Sequence, residues 1–135
     1  MVRPLSQYWA QFSKLGLLTG TVLSALSLVL LLAPGVIHWL FQIESAEATD
    51  VMSRRAAMLF AGLALIVLQT RHAPPHPLRQ SVSLGIAVTM GGLICVGLYD
   101  FLRGAVGVGI WLAIFVETFF ASAYLRFWLS PEGSS

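Results

Sequence analysis

Apolar residues fall into four long runs along the chain, separated by short segments rich in proline, glycine or charge. The first run, LGLLTGTVLSALSLVLLLA, extends from Leu15 to Ala33 and ends at Pro34 and Gly35, which do not readily continue a helix. About twenty helical residues at ~1.5 Å each cross the ~30 Å hydrocarbon core of a bilayer, so the run predicts a transmembrane helix. VIHWLFQIE, Val36 to Glu44, is too short to span. Its His38, Trp39 and Phe41 predict an amphipathic segment lying in the membrane interface and leading into the acidic stretch ESAEATD. The second span runs from Val51 to Gln69 around an apolar heart, Ala56 to Leu68, and includes Arg54 and Arg55, whose side chains snorkel towards headgroups or pair inside. TRHAPPHPLRQ is too rich in proline for a helix and predicts a loop. Ser81 to Tyr99 is the third span, DFLRGAV a tight turn, and Gly107 to Trp128 the fourth span, before the polar tail LSPEGSS. The pattern predicts an all-α, polytopic membrane four-helix bundle, one domain over residues 1–135, with an interfacial segment after the first helix.

Composition sharpens that reading. The chain is 57% hydrophobic and 10% charged, against roughly a quarter charged in a soluble domain, and its mean hydropathy is +0.81. A water-facing surface cannot be built from so few charges. The single cysteine, Cys95, excludes an intramolecular disulfide and a cysteine-based metal cluster. The basic residues are scattered, without the dense patch that phosphate backbones require, so nucleic acid is not an expected partner. They serve as topology markers instead. With four alternating spans, one side of the membrane carries Arg3, Lys14, Arg71, Arg79 and Arg126. The other carries Arg54, Arg55 and Arg103 together with Glu44, Glu47, Asp50 and Asp100. The excess of basic residues on the first side places both termini in the cytoplasm. A cleaved signal peptide, suggested by Ala46-Glu47-Ala48, is disfavoured because the first apolar run is too long and ends about a dozen residues before that site.

Glu117 stands alone near the middle of the fourth run, GIWLAIFVETFFASAYLRFW. On a helix it aligns with Gly109, Ala113 and Ala121 at spacings of four, a small-residue stripe along which another helix can approach closely. The stripe predicts that Glu117 faces protein. An acid at the bilayer centre costs about 3 kcal/mol and needs a partner, a proton or water. Arg55, with Arg54 beside it, is the expected partner, because the second and fourth spans enter the membrane from the same side. The pair reads either as a structural clamp between helices or as a ligand-binding, proton-linked site. Gly16 and Gly20, followed by Ser24, form a GxxxG pattern in the first span, and Ala87 with Gly91 repeats the spacing in the third. Both are expected to serve helix packing, within the bundle or between subunits.

Histidine chemistry is not expected. His72 and His76 lie in the proline-rich loop, His38 lies near the opposite membrane face, and serine, histidine and acidic residues look too scattered across the two leaflets for a catalytic triad. Trp9, Trp39, Trp111 and Trp128 fall near span ends, as interfacial anchors do. GxGxxG, Walker, HExxH and GxSxG motifs do not occur, so an enzyme acting alone is not expected.

The stretch DVMSRRAAMLFAGLALIVLQTRHAPPHPLRQSVSLGIAVTMGGLICVGLYDFLRG resembles the small four-helix bacterial membrane proteins grouped around the DoxX-like families. The resemblance covers roughly residues 50 to 128. It lies in an arginine just inside the second helix, a glycine- and alanine-rich continuation, a basic hinge, and a third helix ending near a short turn before the fourth. What it implies is a compact membrane bundle, with some relatives tied to quinone-linked respiratory chemistry; Arg54 and Arg55 match the arginine region. The expected function is that of a non-enzymatic bacterial inner-membrane protein, a small accessory or structural subunit whose partners are the lipid bilayer and other membrane proteins or further copies of itself. No cofactor is expected on this reading. The alternative is a quinone-binding or proton-linked redox subunit using Glu117 and Arg55. A small-molecule carrier is a weaker third, since four short-looped helices leave little room for alternating access.

Overall fold

A computed structural model describes residues 5–74 and 77–129, and among them it contains five helices and no strand. Arg3 and His76 lie outside the described residues, and Trp9 outside the described side chains. Four helices are long and apolar enough to cross a membrane: α1 (Leu5–Leu32), α3 (Glu47–Thr70), α4 (Pro77–Leu102) and α5 (Ile110–Leu129). The protein is a multi-pass membrane protein with an all-α architecture. The short α2 (Pro34–Phe41) follows α1 directly, with Pro34 in its first turn, where a missing N–H costs nothing.

The helix boundaries differ from the apolar pattern in an instructive way. α3 begins at Glu47 inside the acidic stretch, and Glu47 and Asp50 occupy its first turn, where carboxylates complement the positive end of the helix dipole. α4 begins at Pro77, so the segment PLRQ, expected as loop, is helical. Proline excludes helix N-terminal to itself yet initiates one readily, because its fixed φ already suits a first turn. At the other end of α4, Gly104 takes φ +72°. The Ala105 N–H donates to the Asp100 carbonyl at 2.9 Å and the Gly104 N–H to the Phe101 carbonyl at 3.0 Å. This is a Schellman stop, which favours glycine at the left-handed position. α2 ends in the same pattern on a non-glycine residue, Gln42, at φ 54°.

The helices associate as two antiparallel pairs: α1 packs chiefly on α3, and α4 on α5. Within the first pair, Gly16 and Gly20 bring α1 against Val67 and Leu68 of α3 and Arg71 at its C-cap. Ser27 Oγ donates to the Ala57 carbonyl at 2.8 Å, and Ala57 and Ala64 are buried along the seam. Leu23 and Leu30 continue the buried edge of α1. In the second pair, Gly97 of α4 lies against Ile110 and Ile114 of α5, while Ile86 and Met90 of α4 and Phe120 and Tyr124 of α5 are buried in a core shared with α1 and α3.

The pairs are joined towards the end that holds the start of α1. There the Tyr124 hydroxyl donates to Thr19 Oγ1 at 3.0 Å, and Thr19 in turn donates to the Leu15 carbonyl one turn back at 2.8 Å. Phe12 meets Tyr124 and Phe127 edge to face, with centroids 6.3 Å and 5.2 Å apart. The Arg79 guanidinium lies 4.0 Å from the Phe12 centroid and 5.5 Å from that of Phe127. A buried arginine between aromatic faces is a cation–π contact strengthened by desolvation. The outward faces of all four long helices carry large exposed apolar residues, including Leu32, Leu59, Val88 and Phe115. In a bilayer these meet lipid, and packing within the bundle relies on van der Waals fit and hydrogen bonds rather than on escape from water.

Candidate functional site

Two polar features lie within the apolar frame. The first is built by α2. Its exposed face carries Val36 and Trp39, while His38 on the other face is buried at 3% exposure. His38 Nε2 pairs with Ser53 Oγ of α3 at 2.9 Å, and Nδ1 lies 3.5 Å from Asp50 Oδ1 and 3.4 Å from Ser45 Oγ. Asp50 and Ser53 stand one helical turn apart on α3, so both reach the same imidazole. An acid, an imidazole and a hydroxyl are thus assembled on one side of the membrane, contrary to the expectation that such residues were too dispersed. Residue spacing could not disclose this, because the meeting depends on α2 folding back over the start of α3.

The cluster has the order of a hydrolase relay but lacks its electrophile cradle. Acyl transfer needs backbone N–H groups aimed at the developing oxyanion, and the Ser53 amide lies well inside α3, where the helix ladder takes it up. What the arrangement does is satisfy both nitrogens of a buried ring and pin α2 to α3. The turn before α5 closes over the same end: the Gly107 N–H donates to the Phe41 carbonyl at 2.6 Å. A Cβ at Gly109 would overlap the Leu40 carbonyl. Gly109 therefore precedes α5 and abuts α2, rather than belonging to a stripe on the fourth span.

The second feature is Glu117. The buried residues Ile110, Ile114, Phe120 and Tyr124 define one arc of α5, and helical periodicity puts Glu117 near the centre of that arc, with Ala113 and Ala121 beside it. Ala113, Glu117 and Ala121 are each partly buried, and Ala121 packs on the core. Among the described residues, Glu117 makes no hydrogen bond or ion pair. The expected pair with Arg55 is not formed: Arg54 and Arg55 are both exposed on α3, and α5 takes α4 as its main neighbour instead. Entry from the same side of the membrane does not make two helices adjacent, and the apolar pattern carries no information on adjacency. His38, Asp50 and Ser53 were missed, although a histidine on a segment with tryptophan opposite it was a signal that the segment had an inward face.

No group of three or more His, Cys, Asp or Glu side chains among the described residues is placed to hold a metal ion. Set against protein-family models, curated proteins and solved structures, the chain matches none.

Proposed function

We propose that the protein is a small subunit of a larger assembly in the inner membrane of a bacterium, with Glu117 as the group that a second membrane protein completes. The observation behind this is a carboxyl in mid-span that is only partly buried, so that a neighbouring helix can reach it, and that has no hydrogen-bond or ion-pair partner among the described residues of its own chain. An acid held at about 3 kcal/mol of cost at mid-membrane requires a donor, and a hydrogen-bonding side chain from another helix supplies one in a bilayer at modest energy. The positive-inside bias supports cytoplasmic termini. Lys14, Arg71, Arg79 and Arg126 collect at one end of the helices, and Arg54, Arg55 and Arg103 at the other among Glu44, Glu47, Asp50 and Asp100.

Purification of the full chain from native membranes in mild detergent, with mass spectrometry of bound proteins and lipids, tests the proposal. A stoichiometric membrane-protein partner is expected, kept by Glu117→Gln, which still hydrogen-bonds, and lost by Glu117→Leu. A partner retained equally by Glu117→Leu, or no partner at all, refutes it. The quinone-linked alternative suggested by the DoxX-like resemblance would show instead as a quinone that co-purifies with the wild type and is lost in Glu117→Leu.

A further inference from the structure

A cavity of about 300 Å³ opens where α1, the end of α3 and the start of α4 converge, lined by Phe12, Ser13, Arg71, His72, Arg79 and two alanines. Two guanidiniums and an imidazole face it, and the described residues that line it include no carboxylate. Arg71 makes no ion pair among the described residues. His72 is oriented by a 3.4 Å contact between its Nδ1 and Ser13 Oγ. Arg79 is held rigidly, at 6% exposure, by the Phe12 and Phe127 rings. Planar guanidiniums suit the tetrahedral oxygens of a phosphate group. The location adds the second half of the argument. The cavity sits at the ends of three membrane-spanning helices, at headgroup level, with Phe12 and the alanines forming an apolar wall beside the cations.

From this geometry we propose that the cavity binds a phosphate ester, and that the phosphate belongs to the headgroup of an anionic phospholipid. Basic pockets between transmembrane helices take such headgroups, and the acyl chains then lie along the exposed apolar faces below. Arg71 and Arg79 share the phosphate oxygens, and the His72–Ser13 pair bounds the outer wall. This site is separate from Glu117, and the proposal holds whether or not a protein partner completes that residue.

The test is native mass spectrometry of the full-length protein released from nanodiscs that contain equal phosphatidylglycerol and phosphatidylcholine. Wild type is expected to retain one phosphatidylglycerol in preference to phosphatidylcholine. Arg71→Gln should reduce that preference by about fivefold, the factor one interfacial cation contributes. Arg71 is the decisive position because it lies outside the aromatic core, whereas Arg79→Gln also disturbs packing. Arg103→Gln serves as the control for lost charge, since Arg103 sits on the opposite membrane face against Tyr99. Inorganic phosphate at millimolar concentration should leave the retained lipid in place; if it displaces the lipid, the phosphate chemistry stands but its source is soluble, and the headgroup assignment falls. Equal retention of the two lipids by wild type, or equal losses in Arg71→Gln and Arg103→Gln, overturns the proposal.

Discussion

In the α1–α3 pair, a Cβ placed on Gly16 would sit 2.7 Å from the Arg71 Cβ, and one on Gly20 would overlap the end of Leu68. In the α4–α5 pair, a Cβ on Gly85, Gly91 or Gly92 would meet nothing within 4 Å, and one on Gly97 would make ordinary contact with Ile114 at 3.4 Å. Both first members of these pairs carry small residues four apart: Gly16 and Gly20 on α1, Ala87 and Gly91 on α4. One set lets two backbones approach, and the glycine of the other faces space. The physical reason lies in the opposing surface. α3 offers Ala57, Ala64 and the backbone around Val67 and Arg71, which can come close only where α1 has no side chain. α4 instead turns Gly97 towards Ile110 and Ile114 of α5, whose side chains already fill the contact, and turns Gly91 towards open space. A small-xxx-small spacing therefore permits close approach, and the partner decides whether it is used.

The largest effect is expected at Gly16. Gly16→Leu drives a side chain into the Arg71 Cβ, an atom tied to the backbone, and should destabilise the bundle by about 3 kcal/mol or prevent assembly, as read by thermal unfolding in detergent. Gly20→Leu should follow closely, softened because Leu68 can change rotamer. Midpoints unchanged in both variants would remove the basis for distinguishing the pairs.

A smaller loss tests the junction between the pairs. Tyr124→Phe removes the hydrogen bond to Thr19 while leaving the ring against Phe12, and should cost about 1 kcal/mol, in the range of interhelical hydrogen bonds in membranes. Because Thr19 keeps its bond to the Leu15 carbonyl, the deletion leaves a buried hydroxyl satisfied. A cost several times larger would mean that the tyrosine hydroxyl organises the whole junction.

The smallest effect is expected at Gly91. Gly91→Leu adds a side chain where no atom stands in its way, so the unfolding midpoint should stay within the range of a neutral surface change, about 0.5 kcal/mol. A loss comparable to that of Gly16→Leu would show that α4 uses its small residues after all, against a surface outside this chain.

The four spans, the stop at Pro34 and the turn at Gly104 all followed from local features. Hydropathy and length decide whether a helix can span lipid, and proline and glycine act on the dihedrals of their own residues. Even the misplaced start of α4 was a local matter, since proline can begin the helix it cannot lie inside. Adjacency was not local. That α1 packs on α3 and α4 on α5, that Arg55 stays apart from Glu117, and that α2 turns His38 inward onto Asp50 and Ser53 were decided by tertiary structure alone. Helices in a bilayer are equally apolar to one another and to lipid, so neighbours are selected by the fit of surfaces and by a few hydrogen bonds between distant residues, and neither leaves a periodic trace in a single chain.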